Sequence, residues 1–171
     1  MTDRITEEQR RRNMAAVRST DTMPERAVRS ILHKLGLRFR LHQRALPGTP
    51  DIVLTRHKSV VFVHGCFWHG HDCPRGKVPS TRTEFWLPKL QRNCERDRAN
   101  AASLRTLGWR VVTVWECELG EPRRLVRRLA RAFGRRSGSK PDIWTGNSAV
   151  HLRDVDVRNA DKTAGLKDRI D

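Results

Sequence analysis

The stretch VFVHGCFWHGHDC, Val61 to Cys73, constrains the chain more than any other. It begins as a run of β-branched and aromatic residues fit for a buried strand, then within four positions turns into two cysteines, three histidines and an aspartate. A loop so polar cannot pack itself, so something other than apolar burial has to hold it. Cys66, His71 and Cys73 lie within eight residues, and Cys117 ends a second apolar stretch, WRVVTVWEC, from which it can swing in as a fourth ligand. Three thiolates and one imidazole suit tetrahedral Zn²⁺, and a site with all four positions filled is structural. The spacing is not that of a standard finger, and the competing reading is of small buried thiols with a surface histidine. Cys94, in the middle of a helical pattern, reads as core packing.

Charge is the second constraint. The 171 residues carry 35 Lys and Arg against 19 Asp and Glu, a net +16. Segment 137–171 holds six of each sign, so the whole excess belongs to residues 1–136. A polyanionic partner follows, and nucleic acid is favoured over an anionic membrane because the chain shows no basic amphipathic helix with an aromatic apolar face of the interfacial kind. A merely solvated basic surface is the alternative. No apolar run reaches 18 residues and the N-terminus lacks the apolar region of a signal peptide, so the expectation is a cytoplasmic chain with no membrane partner. In that compartment four cysteines argue for metal or burial over disulfides.

Along the chain, 1–21 reads as a polar arm, 22–136 as one domain, and 137–171 as a charge-balanced, flexible tail. TMPERAVRSILHKLG predicts a helix: Thr22 and Glu25 have capping-box spacing, Pro24 sits in the first turn, and Val28, Ile31, Leu32 and Leu35 share a face that Gly36 ends. LRFRL alternates and predicts a strand; DIVL and SVVFV predict a hairpin or two adjacent strands. Glu84–Leu107 predicts a helix disturbed near Pro88, WRVVTVW a strand, and PRRLVRRLARAF an amphipathic basic helix with Leu125, Leu129 and Phe133 inward. Helix, three strands, helix, strand, helix is an α/β order with a small mixed sheet flanked by helices.

Chemistry concentrates where these strands begin and end. Asp51 follows Pro50 at a strand start, and the next strand ends at His64. A carboxylate there is where nucleases hold Mg²⁺ against a phosphate, although Phe62 and His64 occupy places where an acidic residue and a lysine are ordinarily sought. A backbone carbonyl such as that of Val63 then has to serve as ligand. His69 can take a proton from water near neutral pH, or bind zinc, or face solvent. Phe67 and Trp68 sit in a turn with no room to bury both, which favours a wedge into stacked bases; Trp86 fits stacking or core packing equally. Glu25 can close its capping box, face an active site, or do both.

HGCFWHGHDC (64–73), VPSTRTEFW (78–86), NCERDRAN (93–100) and LGWRVVTVWEC (107–117), with RSTDT (18–22) and PGTPDIV (47–53), together resemble the very short patch repair (Vsr) endonucleases of bacteria over roughly residues 8–133. The resemblance implies a restriction-endonuclease-like PD-(D/E)XK core with a zinc-clipped loop. It implies a nucleoid-associated enzyme that nicks the thymine strand of a T:G mismatch left by deamination of 5-methylcytosine. Carried over by position, Asp51 and the Val63 carbonyl hold Mg²⁺, His69 is the general base, and His64 and Glu25 assist around the phosphate. Cys66, His71, Cys73 and Cys117 match the structural Zn²⁺ ligands; Phe67, Trp68 and Trp86 match the wedge; Asn13 and Met14 lie on the opposite groove. The family suggests a monomer on duplex DNA and contact with a MutL-type protein. The chain departs at Gly70 and Asp72, which interrupt a histidine run, and at Val63, which stands for a threonine. Two rival readings remain: a zinc-stabilised module that binds distorted DNA without cutting, and a dimeric nuclease that cuts both strands of unmodified DNA.

Overall fold

A computed structural model describes residues 20–134 together with Thr6, Glu8, Gln9 and Arg12. Asn13, Met14 and the expected tail 137–171 lie outside the described residues. Helix α1 is Met23–Lys34, and its capping box forms as its spacing predicts: Glu25 N–H donates to Thr22 Oγ1 at 3.4 Å, and Thr22 N–H donates to Glu25 Oε1 at 3.3 Å. Val28, Ile31 and Leu32 are buried, Leu35 packs against the same cluster, and Gly36, at φ 75°, takes the left-handed turn that ends the helix.

Strand β1 covers only Arg40–Leu41, shorter than the alternation of LRFRL predicts. It is an edge strand bonded to two residues of β2 (Ile52–Leu54), and His42, at φ 46°, turns the chain out of extended conformation immediately after it. Leu37 and Phe39 still contribute to the core, so the alternation reports burial without a ladder. A single 3₁₀ turn, Thr55–His57, joins β2 to β3 (Ser59–His64), which pair antiparallel as a hairpin, one of the two arrangements the sequence allows. Helix α2 (Thr83–Thr106) then carries the chain across, so that β4 (Arg110–Trp115) lies parallel to β3, from Ser59 opposite Arg110 to His64 opposite Trp115. A short 3₁₀ segment, Glu116–Gly120, leads into helix α3 (Pro122–Phe133).

The sheet order is β1-β2-β3-β4. One face carries the larger core: Val28, Ile31 and Leu32 of α1 meet Ile52, Leu54, Val61 and Val114 of the sheet and Leu125, Leu129 and Phe133 of α3. The other face is thinner, with Val53, Val60 and Leu104 of α2 at its centre. This is the expected small mixed sheet flanked by helices. Pro88 does not break α2: the proline removes one donor in its second turn, and Glu84, the residue whose carbonyl loses it, is exposed to water. Among the described residues no helix is long and apolar enough to cross a membrane.

Candidate active site and metal centre

All three chemical clusters gather at the end of the sheet where β3 and β4 finish. On its β2 side, β3 outruns its partner, since pairing stops at Ile52 opposite Val61. Asp51, immediately before β2, fills the gap: its Oδ2 accepts the Val63 N–H at 2.8 Å. Burial pushes the Asp51 carboxyl up to about 6, against the stabilising pull of that N–H and of nearby His42 and Arg29. A half-buried carboxylate with raised proton affinity beside strand backbone that has left its ladder is a group that gains from a cation.

Opposite Asp51, the histidine of β3 meets the loop that follows it. His64 and His69 stack with ring centroids 3.8 Å apart and planes 7° from parallel. His69 Nδ1 lies 2.5 Å from Asp97 Oδ2, so with Asp97 ionised the proton of a neutral His69 sits on Nδ1 and Nε2 keeps a lone pair. Burial, reinforced by His69, pushes His64 down to about 4, which leaves it uncharged at neutral pH. Glu25, His42, Asp51, His64, His69 and Asp97 line one cavity of about 1040 Å³.

Glu25 is less available than its neighbours. Its carboxylate accepts from Asp21 N–H (3.1 Å), Thr22 N–H and Oγ1–H (3.3 and 2.8 Å) and Arg29 Nη2 (2.6 Å), and the side chain is 4% exposed. Four donors occupy it, with His42 Nε2 a further 3.6 Å away.

The thiols and imidazole of Cys66, His71, Cys73 and Cys117 have their ligand atoms within 4.8 Å of one another. Cys117 Sγ lies 3.5 Å from His71 Nδ1, close to the edge, roughly 3.5 Å, of a tetrahedron with zinc–sulfur and zinc–nitrogen bonds of ordinary length. Burial pushes the Cys66 thiol up to about 12, a preference that a divalent cation among the sulfurs reverses. The donor set therefore fits zinc. Trp115 stacks on His71 at 4.2 Å and fixes its ring.

Helix α2 grips the loop by its backbone: Asn93 Nδ2 donates to the Trp68 carbonyl at 3.0 Å and Cys94 Sγ to the His69 carbonyl at 3.3 Å. The grip accounts for Gly70, one of the chain's departures. That residue has φ 62°, and a Cβ there would stand 2.8 Å from Cys94 Sγ. Phe67, Trp68 and Trp86 form one half-buried aromatic group with centroids 5.0–6.1 Å apart, extended by Phe85, which is 47% exposed, and overhung by Lys89 Nζ at 5.5 Å from the Trp68 ring.

The structure thus brings Asp51, Val63, His64, His69 and Glu25 to one groove, the four soft ligands to one point and the three expected aromatics to one surface. Sequence reasoning missed Asp97, His42, Lys89 and Trp115. A signal for Asp97 existed: Leu90, Asn93, Asp97, Asn100 and Leu104 recur at helical spacing as the inner stripe of α2, apolar only at its ends. A polar centre on an inward stripe has to face something polar.

Comparison with known proteins completes the picture. The family model described as DNA mismatch endonuclease Vsr matches residues 2–75. A type II nicking enzyme of Xanthomonas oryzae pv. oryzae, V.XorIIP, is 54% identical over 129 residues, 75% of this chain and 95% of that protein. The DNA mismatch endonuclease Vsr of Escherichia coli K12 is 51% identical over 110 residues, 64% of this chain and 70% of that protein. The nicking enzyme V.NmeAIP of Neisseria meningitidis is 47% identical over 119 residues, covering 70% and 85%.

Proposed function

The chain belongs to the Vsr family of DNA mismatch endonucleases, and from that premise we propose that it nicks the thymine strand at T:G mismatches arising from 5-methylcytosine, with Mg²⁺ as its catalytic ion and Zn²⁺ as a structural one. The observation that carries the reading is the single groove that holds Asp51, the His64–His69–Asp97 group and, at its rim, an aromatic surface. A DNA-binding module has no use for a half-buried carboxylate and an oriented imidazole beside its wedge.

Asp51 and the carbonyl of Val63 would hold Mg²⁺, which when bound neutralises charge on the scissile phosphate and makes water more acidic. His69 accepts the water's proton at Nε2, because Asp97 holds the proton of Nδ1 and stabilises the imidazolium that results. His64, neutral and stacked on His69, orders that ring and faces the phosphate. Glu25 acts through its neighbours, fixing Arg29 and the start of α1 at the groove's edge. Phe67, Trp68 and Trp86 enter the base stack beside the mismatch, where a wobble pair has already weakened the stacking they displace, a cost of a few kcal/mol at a paired step.

This arrangement is a variant of the PD-(D/E)XK scheme in which a histidine and a backbone carbonyl stand where an acidic residue and a lysine are usual. One groove per chain and one strand cut are consistent with a monomer, with the arm around Asn13 and Met14 on the opposite groove and a MutL-type protein as a further partner. The test is single-turnover nicking of a T:G duplex by wild type and by Asp51→Ala. Loss of at least two orders of magnitude in rate with DNA affinity retained is expected; undiminished Mg²⁺-dependent nicking overturns the assignment.

A further inference from the structure

We infer that the outer face of α3 is a second contact for DNA, one that grips phosphates without regard to sequence or mismatch. It rests on the reading of the protein as a DNA enzyme and adds a surface outside the catalytic groove.

Five of the twelve residues of α3 are arginine and none is lysine. Arg124, Arg127, Arg128 and Arg131, at helical spacings of three and four, line a cleft of about 430 Å³ to which no other residue contributes. Intramolecular pairing leaves much of this charge unspent. Arg128 is held by Glu118 at 2.8 Å and Arg124 reaches Glu121 at 3.5 Å, but among the described residues neither Arg127 nor Arg131 has an ion-pair partner. Leu125, Leu129 and Phe133 fill the buried side of the helix, and Arg128 alone of the four turns inward, to the Thr113 carbonyl at 3.2 Å as well as to Glu118, leaving Arg124, Arg127 and Arg131 exposed.

Two features favour a phosphodiester backbone as the occupant. Guanidinium forks match phosphate oxygens in pairs, and their spacing of one helical turn along α3 presents a row of charge to a linear polyanion. The helix is also tied to the catalytic end of the sheet: Glu118 Oε2, which holds Arg128, accepts the N–H of Trp115 at 2.9 Å, and Trp115 lies opposite His64 in the β3–β4 register. From that end α3 runs back along the sheet to Ala132, whose carbonyl accepts from Arg110 at the start of β4, so the arginine row begins beside the catalytic end and leads away from it.

The experiment compares full-length wild type, Arg127→Gln/Arg131→Gln, and a control pair from other elements, Arg38→Gln/Arg105→Gln, in equilibrium binding to matched and T:G duplexes across a salt series. The α3 pair should make the slope of log affinity on log salt shallower by about 1.8, the amount for two phosphate contacts, and weaken both duplexes by the same factor. Melting temperature and the nicking rate at saturating DNA should stay at wild-type values, and the control pair should leave the slope unchanged. An unaltered slope in the α3 pair, or an equal change in the control pair, overturns the inference. Failure of the wild type to bind DNA at all removes the enzyme reading and this surface together, whereas normal nicking with an unaltered slope removes this surface alone.

Discussion

With Asp97 bonded to one nitrogen of His69, the other is the only place on that ring for a proton taken from water. Asp97→Asn keeps the size and removes the charge, and an amide can turn its N–H₂ toward Nδ1 and reverse the tautomer. Nicking should fall by about 10²–10⁴, the range for a misoriented general base, while zinc content and T:G binding stay unchanged. A second expectation concerns the proton on Asp51. Its carboxyl sits near 6 in the metal-free protein, above its ordinary 3.8, so the protonated and poorer ligand grows in as pH falls through 6. Mg²⁺ affinity measured by calorimetry should therefore drop between pH 7.5 and pH 5, and equal affinity at both would detach Asp51 from the metal. Trp68→Ala should weaken T:G binding more than matched-duplex binding; equal losses would assign Trp68 to packing. Asp51, His64, His69, Phe67 and Trp68 could be singled out as residues because each is an unusual type near a strand end. Asp97, 28 residues beyond His69 in sequence, needed the fold to bring it there.

At the scale of elements, the Cys66–His71–Cys73–Cys117 cluster and α2 meet the same loop from two sides. Cys66, His71 and Cys73 of the loop converge with Cys117 of the 3₁₀ segment that follows β4, and Asn93 and Cys94 bind the carbonyls of Trp68 and His69. Cys117→Ser should lose stoichiometric zinc and lower the melting temperature; retention of both would break the four-ligand set. Leu129→Ala, at the centre of the α1–sheet–α3 core and fully buried, should cost about 2–5 kcal/mol in urea unfolding without touching the chemistry. The order of elements followed from periodicity, because α1 and α3 each pair an apolar stripe with a polar one. The shortening of β1 did not, since an edge strand's length is decided by how much of β2 lies beside it and by the turn His42 makes at φ 46°. The continuity of α2 through Pro88 was hidden for a like reason: the carbonyl that loses its donor there belongs to a residue open to water.

For the whole molecule, a net +16 is large enough to draw the chain onto any duplex, and so it says little about where the chain cuts. On the proposed reading specificity comes from the few residues at the sheet end, where the residues assigned to wedge, base and metal share one short span of loop and strand. On the same reading that crowding has a reason: a metal clip would order the loop, and the loop would carry wedge and base to one place. The decisive measurement is strand-resolved nicking with Mg²⁺ of a duplex labelled on both strands, carrying one T:G pair in a 5-methylcytosine target context, beside its T:A control. Cleavage confined to the thymine strand of the mismatch is the expected result. Binding without cleavage across a panel of contexts, or cutting of both strands of the T:A control, would contradict it.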